Sequence, residues 1–227
     1  MKRSKKYTAA VAKVDKNKFY TLEDAIALMP QISTSKFAGS ITAQIVLKLN
    51  DKQKKDSIRG SYALPHSFGK SIRVLVVADK NEAEKAKEAD IFGGEELFAD
   101  IEASKLDFDV LITTPTMMPK LARLGKTLGS KGLMPNPKNG TISTDLSATI
   151  AKFKAGMKNF KTVNGAPINV VIGKTDMAAD KLVENFYAVY KALLAEVKKY
   201  GTTPIKTVVL GPTMGPNVSV DVNKLNA

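Results

Sequence analysis

The chain has 227 residues and carries 35 Lys and Arg against 22 Asp and Glu, so its formal net charge is +13. It has no cysteine, which excludes disulfides and thiolate metal sites, and its single histidine excludes any site that needs two imidazoles. A hydrophobic fraction of 44%, with no apolar run near the roughly 20 residues of a membrane helix, predicts a folded, soluble, intracellular protein without a secretory signal.

The first part of the chain predicts one helix and two strands. Residues 1–18 are polar and lysine-rich, which is typical of a tail or a poorly ordered helix. A helix is expected from the capping residue Thr21 to Pro30, because proline interrupts the helical pattern. Residues 40–49 alternate apolar and polar side chains, which predicts a strand with one buried face. A short strand is expected at 61–64.

The middle of the chain has the pattern of a parallel α/β domain. Residues 65–70 form a turn and a candidate hinge. The apolar runs 72–78 and 108–113 resemble parallel strands that are buried on both faces. Helices are expected at about 80–89, 93–104 and 117–127, followed by a Gly/Pro loop over 129–141. This alternation predicts a three-layer α/β domain.

The last part of the chain returns to an α+β pattern. Strands are expected at 168–173, 205–211 and 217–222, with a long amphipathic helix at 179–200. Neither end of the chain alone can bury much core, but together they can close one domain with the middle as an insertion. The predicted fold class is therefore mixed α/β, with a discontinuous α+β domain of residues 1–66 plus 158–227 and an inserted domain of residues 67–157.

The positive charge is concentrated in the two ends. Residues 1–66 have a net charge of +8, residues 67–157 of +1 and residues 158–227 of +4. Such an excess is compatible with solvated lysines and with a surface that binds a polyanion such as nucleic acid. Binding to a membrane surface is disfavoured, because the lysines do not follow one face of a long amphipathic helix.

Few motifs in the chain carry chemistry. His66 stands alone and is expected to be a loop residue with one backbone hydrogen bond. Gly125-Lys126-Thr127 resembles the end of a Walker phosphate loop, but Lys120 stands where that loop needs glycine and no strand precedes it. The segment Lys120–Lys138 reads either as a solvated helix with a special turn, or as lysines and backbone N–H groups that meet phosphates.

Two short clusters at the ends of strands have an open interpretation. Phe37, beside Lys36 and near Ser40, fits a core side chain, but it equally fits an aromatic that packs on a ribose or a base. The segment Pro212-Thr213-Met214-Gly215-Pro216 reads as a rigid turn, or as a place where the backbone approaches a partner closely.

Taken together, the segments LGSKGLMPNPKNGTI (128–142), IRGSYALPHSFGK (58–70) and VLGPTMGPNV (209–218) resemble the signature stretches of the bacterial ribosomal protein L1 family. Lys36-Phe37, the helix opening at 21–25 and GKTDMAADKLVEN (173–185) follow in the order and spacing of that family. The resemblance covers nearly the whole chain. It implies a first domain with a split β-α-β arrangement, built from both chain ends, and an inserted Rossmann-like domain.

The resemblance also implies a non-enzymatic role without a cofactor or a metal. The expected partners are the stalk region of 23S rRNA in the 50S subunit, E-site tRNA, whose release in the deacylated form such proteins assist, and the mRNA of the protein's own operon, which they repress. The resemblance further implies no membrane association, a monomer when free, and a cytoplasmic location on the ribosome.

Carried over to this sequence, the family's RNA contacts fall at two edges of the first domain. Phe37 and Met214 would give apolar contacts, Ser40 and Thr213 would hydrogen-bond ribose hydroxyls, and Gly215 would allow close approach of the backbone. Lys36 belongs to the same edge as Phe37. Phosphate contacts are expected at Lys174 and Arg3, and a weaker secondary contact at Lys131, Gly132 and Lys138.

The sequence departs from the family at three places. Ser67-Phe68 replace Gly-Thr beside the candidate hinge, and residues 54–57 and 163–169 differ from the usual stretches. Two other functions remain open from the sequence: an enzyme that binds a nucleotide on the middle domain, for which no glycine fingerprint is present, and an mRNA regulator that acts outside the ribosome.

Overall fold

A computed structural model describes residues 4–15, 18–49, 58–69, 72–79, 82, 86, 88–103, 105, 107–162, 167–198 and 205–225. The α-helices are α1 (Lys5–Ala12), α2 (Leu22–Ile32), α3 (Leu97–Glu102), α4 (Met118–Leu121), α5 (Gly125–Ser130), α6 (Leu146–Lys154), α7 (Ala179–Val197) and α8 (Val222–Leu225). The strands are β1 (Ser40–Leu47), β2 (Arg59–Ala63), β3 (Val74–Val77), β4 (Ile91–Gly93), β5 (Val110–Thr113), β6 (Met157–Lys161), β7 (Pro167–Lys174), β8 (Ile205–Pro212) and β9 (Val218–Val220).

Contacts within the chain separate it into two compact units. The first unit combines residues up to Phe68 with those from Phe160 onward, and the second unit is Gly69–Asn159. The chain passes from one unit to the other at two points, and each lies two residues beyond the boundary expected from the sequence. The assignment of these units as independently folding domains stays a prediction.

The first unit is built on a four-stranded antiparallel sheet with the order β7-β1-β8-β9. Strand β1, from the beginning of the chain, lies between β7 and β8 and is antiparallel to both. This confirms the expectation that the two chain ends form one α+β sheet. Helices α2 and α7 contribute buried apolar side chains to the same core as these strands.

The central strand β1 has the alternation that the sequence predicts. Ile41, Ala43, Ile45 and Leu47 are buried, while the residues between them are partly exposed. Because the side chains of a strand alternate between its two faces, this pattern places one face of β1 in the core and the other toward solvent. A shift of the register by one residue would expose the whole apolar set.

Helix α2 begins as predicted, but it does not end at Pro30. The Thr21 hydroxyl accepts a hydrogen bond from the Asp24 backbone N–H at 3.2 Å and caps the helix. The helix continues to Ile32, with Pro30 inside its last turn. Proline removes one N–H there, but the next turn still closes through the Ser33 N–H and the Met29 carbonyl, 3.2 Å apart. Burial of Ile32 in the core keeps the last turn in place.

A buried amide holds the segment that follows β2. The Asn185 side chain on α7 accepts from the His66 backbone N–H at 3.0 Å and donates to the His66 carbonyl at 2.9 Å. It also donates to the Ile172 carbonyl at 2.9 Å. The His66 imidazole lies 2.6 Å from the Glu184 carboxylate, so the expectation of a loop histidine with a single backbone bond was too simple. Whether residues 65–70 act as a hinge stays a prediction.

The second unit contains a parallel sheet of order β4-β3-β5. All four residues of β3 are buried, as expected for a strand covered on both faces. One face packs against α6 and the other against α3, α4 and α5. The predicted three-layer arrangement is therefore present in this unit.

Several elements differ from the sequence-based prediction. Strand β4 and helix α6 were not predicted. The helix expected at 93–104 is shorter, and α5 includes Gly129 and Ser130, so the Gly/Pro loop begins at Lys131. Most of the expected helix at 80–89 lies outside the described residues. Val222 begins α8 rather than extending β9, and the lysine-rich start of the chain contains a regular helix, α1, capped by Ser4.

No helix within the described ranges has the length and apolar character needed to cross a membrane. Across the same ranges, no group of three or more His, Asp or Glu side chains is arranged to hold a metal ion.

Candidate nucleic-acid interface

Four hydrogen bonds join two loop segments that are far apart in the chain. The Thr34 N–H and hydroxyl both donate to the Met214 carbonyl, at 2.8 and 2.9 Å. The Thr213 N–H and hydroxyl both donate to the Ser40 carbonyl, each at 2.9 Å. Together residues 34–40 and 213–215 form one surface of the first unit, which we call the Phe37/Met214 patch.

The patch exposes two large apolar side chains. Phe37 is 69% exposed and Met214 is 56% exposed, whereas side chains that belong to the core are almost fully buried. This excludes the interpretation of Phe37 as a core residue. Lys36 beside it is also exposed. An exposed aromatic next to a lysine can pack on a nucleotide sugar or base while the ammonium group meets a phosphate.

Hydrogen bonds within the loop hold Phe37 in place. The Ser35 hydroxyl donates to the Phe37 carbonyl at 2.8 Å and lies 3.0 Å from the Ser33 hydroxyl. A Cβ on Gly39 would lie 3.2 Å from the Ser35 hydroxyl, so a larger residue would disturb this loop. The short polar side chains of this loop thus fix its backbone and leave the phenyl ring of Phe37 exposed to solvent.

Gly215 is required by close packing. An ideal Cβ at this position would lie 2.6 Å from the Ile32 carbonyl oxygen and 2.7 Å from Pro212 Cγ. Both distances are shorter than any ordinary carbon contact, so only glycine fits without a shift of the turn. The close approach that the structure describes at Gly215 is to the end of α2, within the protein. Close approach of a partner to the backbone of Gly215 stays a prediction.

Lys174 lies on the other side of β1 from Thr213. Ser40 pairs with Lys174 in the register of β1 and β7, while the Ser40 carbonyl accepts from Thr213. The pairing continues past the strand end, because Gly39 and Thr175 exchange hydrogen bonds of 2.9 and 3.1 Å. Lys174, Ser40 and Thr213 are thus neighbours at one end of the sheet. Arg3 lies outside the described residues.

The hydroxyl groups of the patch differ in what they can offer to a ligand. The Thr213 proton is already donated to Ser40, so the Thr213 oxygen can only accept from a ribose hydroxyl. Among the described residues, the Ser40 hydroxyl has no hydrogen-bond partner, so it can donate and accept. A ribose 2′-OH, which does both, is complementary to this pair.

Sequence reasoning missed Thr34, Thr175 and Gly39. Thr34 makes two of the four bonds that join the patch, and the reciprocal pair of Gly39 and Thr175 extends the sheet beside it. The run Ser33-Thr34-Ser35 before Lys36 was the available signal, because short hydroxyl side chains bond to nearby backbone.

The secondary segment lies in the second unit, where Lys131 and Gly132 are exposed on a turn. Gly132 has φ +71, which favours glycine, and a Cβ there would meet nothing within 4 Å. The side chain of Lys138 lies outside the described part of the structure. Lys120 forms an ion pair with Glu95, which raises the lysine's pKa and lowers that of the carboxyl group. Part of the positive charge expected in this segment is therefore neutralised.

The match to a known protein family covers both loop segments of the patch. The sequence model of the Ribosomal protein L1p/L10e family matches residues 29–216, a range that contains the whole Phe37/Met214 patch. The chain belongs to the ribosomal protein L1 family. The chain is 41% identical over 223 residues to the large ribosomal subunit protein uL1 of Lactobacillus delbrueckii subsp. bulgaricus, which covers 97% of this chain and 96% of that protein.

Two further L1-family relatives have a similar level of identity. The large ribosomal subunit protein uL1 of Streptomyces coelicolor is 39% identical over 230 residues, which is 98% of this chain and 94% of the relative. That of Malacoplasma penetrans is 44% identical over 214 residues, or 92% of this chain and 63% of the relative. The L1 family consists of non-enzymatic ribosomal proteins, so membership excludes the nucleotide-using enzyme considered from the sequence.

Proposed function

We propose that this L1-family chain is a structural component of the large ribosomal subunit that binds the stalk region of 23S rRNA beside the E site. The observation that carries the proposal is the Phe37/Met214 patch. Two strand-end segments, 180 residues apart in the chain, are hydrogen-bonded together and expose Phe37 and Met214 to solvent. The hydrophobic effect alone favours burial of both side chains, so their exposure on one surface is consistent with a binding role.

Each residue of the patch has its own role in this proposal. Phe37 and Met214 pack on sugars or bases, and Ser40 and Thr213 bond ribose hydroxyls. Gly215, which has no side chain, lets the backbone of the turn approach the RNA closely. Lys36, Lys174 and Arg3 contact phosphates, which position the RNA without specifying its sequence. Lys131, Gly132 and Lys138 make a weaker second contact with rRNA or tRNA.

The fold supports a division of the chain into two domains, of which the first binds RNA. We infer a discontinuous RNA-binding domain of residues 1–66 plus 158–227, with the split β-α-β arrangement of β7, α7 and β8 around β1. The inserted domain of residues 67–157 is Rossmann-like. The names of the relatives support a place in the large ribosomal subunit. A cytoplasmic location and a monomeric state of the free protein belong to the same proposal. Release of deacylated E-site tRNA and repression of the protein's own operon mRNA belong to the same proposal.

The test is a binding titration over a series of salt concentrations. Its ligands are a stalk-region rRNA fragment and a duplex DNA of equal length. We expect tight rRNA binding that persists at physiological salt while DNA binding is lost. Equal binding to both, falling together with salt, would mean that the net charge of +13 alone drives association.

A matched pair of variants locates the site. Met214→Asp removes an exposed apolar side chain and puts an anion beside phosphate, so it should weaken rRNA binding by more than about 1–3 kcal/mol. Phe19→Asp makes the same change of charge at another exposed apolar residue, outside the patch, and should have a much smaller effect. Equal losses for the two variants would contradict this location of the site.

A further inference from the structure

A cleft adjoins the patch on the side of the N-terminal helix. It has a volume of about 340 Å³ and lies between α1 and the turn after Met214. One wall carries Tyr7 and Val11 of α1 together with Val14, which follows the helix. The other wall carries Gly215, Asn217 and Ser219. The volume is at the small end of the range for ligand pockets, about 300–1,000 Å³, so it is large enough for a nucleoside base.

The two walls are held together by one buried residue, Tyr20, through its side chain and its backbone. The Tyr20 hydroxyl accepts from the Asp15 backbone N–H at 3.0 Å, which fixes the end of the α1 segment. The Tyr20 N–H donates to the Ser219 carbonyl at 3.0 Å, which fixes the strand on the other side. Ala10 and Val14 anchor the same helical segment in the core of the unit. The cleft is therefore a fixed feature of the unit.

The polar groups of the cleft favour a base over a phosphate. Asp15 lines it, and a carboxylate at this place repels phosphate but can accept hydrogen bonds from an amino group. An ionised carboxylate has about four lone-pair sites, so it can bond a ligand in addition to contacts within the protein. Among the described residues, the Asn217 amide has no hydrogen-bond partner, and it can both donate and accept.

The surroundings suit a nucleic acid strand that enters from the patch. Tyr7 lines the cleft and brings an aromatic side chain to it. The exposed lysines Lys5 and Lys6 of α1, with Lys13 at its C-cap, supply positive charge nearby. Aromatic stacking is the usual way in which proteins hold an unstacked base. Gly215 belongs both to the patch and to the cleft wall, so one strand can reach both.

We propose that this cleft binds one unstacked RNA base that carries an exocyclic amino group. The amino group donates to Asp15, Asn217 bonds the base edge, and Tyr7 stacks on the ring. The proposal rests on the proposed function, because it makes the cleft an extension of the RNA-binding patch that reads a base.

Cytidine and uridine give a matched pair of probes, since they differ at the amino or carbonyl group of position 4 and carry no phosphate. Each is titrated into the isotope-labelled full chain while amide signals are followed by NMR. We expect the signals of Asp15, Gly215, Asn217 and Ser219 to move, and cytidine to bind about tenfold tighter than uridine, the size of one hydrogen bond to a charged group. Asp15→Asn should remove that preference, whereas Asp24→Asn, at an exposed carboxylate on α2, should keep it.

Absence of shifts at the cleft with either nucleoside would overturn the proposal, as would equal affinities in the unmodified chain. A cytidine preference that survives Asp15→Asn would also overturn it. Failure of the rRNA patch has a separate signature: Met214→Asp would leave rRNA affinity unchanged. A cytidine preference that coexists with that result supports the cleft and contradicts only the patch.

Discussion

Thr34 and Met214 lie 180 residues apart in the chain, yet the N–H and the hydroxyl of Thr34 both donate to the Met214 carbonyl. The turn that exposes the Met214 side chain is thus held through its own backbone by the loop that exposes Phe37. The apolar contacts proposed for RNA depend on this pairing, since it sets where the two side chains stand relative to each other.

Loss of the Thr34 hydroxyl should loosen the patch without changing its surface chemistry. Thr34→Val keeps the backbone bond and the side-chain shape but removes the second bond, so we expect a loss of about 0.5–1.5 kcal/mol in unfolding free energy. Affinity for the stalk rRNA fragment should also fall. Thr149→Val removes a similar bond, from hydroxyl to backbone carbonyl, in the second unit and should leave rRNA affinity unchanged. Calorimetry and binding titration check both, and equal affinity losses would contradict a role for Thr34 in the patch.

Two glycine-to-alanine substitutions should change the stability of the protein in opposite directions. Gly215→Ala forces a Cβ within 2.6 Å of the Ile32 carbonyl, and overpacking of this kind costs about 1–3 kcal/mol. Gly129→Ala, inside α5 with nothing within 4 Å of the new Cβ, should stabilise by about 0.5–1 kcal/mol. Thermal unfolding of both variants checks the signs. A Gly215→Ala protein as stable as the unmodified chain would show that the turn can shift freely.

The lysines of the second unit should matter less than the patch. Lys131→Ala combined with Lys138→Ala removes two of the proposed phosphate contacts. We expect rRNA binding to weaken less than it does with Met214→Asp, and its salt dependence to become shallower. The salt-series titration measures both quantities. A loss equal to or larger than that of Met214→Asp would move the main interface to the second unit.

Because the hydroxyl group of Tyr62 is buried, we expect the folded protein to lose stability at alkaline pH. Burial raises the pKa of the Tyr62 hydroxyl to about 12, while an unfolded tyrosine ionises near 10. As the pH rises, the unfolded chain therefore loses this proton before the folded chain does. The contribution of Tyr62 to the free energy of unfolding is constant below pH 10 and falls as the pH rises from 10 to 12. The slope is at most about 1.4 kcal/mol per pH unit.

Tyr62→Phe should flatten that part of the pH dependence. Urea unfolding between pH 8 and 11.5 measures it, with Tyr187→Phe, at a partly exposed tyrosine, as the control. Parallel curves for the unmodified chain and Tyr62→Phe would show that the buried hydroxyl ionises as easily in the folded state as in the unfolded state.

The sequence predicts best where a periodic pattern is long. The alternation of β1 and the amphipathic pattern of α7 were both identified, because each repeats over eight residues or more. Strand β4 has only three residues, too few to show a period, and α6 follows a Gly/Pro-rich loop that hides its beginning. The prediction that α2 ends at Pro30 was wrong, because the burial of Ile32 outweighs the local cost of a proline in the last turn of the helix.

The candidate site was predicted as two separate clusters. Sequence reasoning named Phe37 and Met214 but left open whether Phe37 is buried, since an apolar residue between a helix and a strand fits either environment. Its 69% exposure decides this point. The bonds from Thr34 and Thr213 were not predictable from local pattern, because they depend on a pairing of distant segments that only the folded sheet creates.

The position of β1 between two strands from the end of the chain has a consequence for synthesis. Its partners β7 and β8 are translated long after it, and at about 5–20 residues per second the 180 residues between Thr34 and Met214 take roughly 10 to 35 seconds to appear. During that interval the nascent chain carries Phe37 but not Met214. The complete patch exists only after Met214 has been translated, so products that terminate before this residue lack half of the proposed RNA interface.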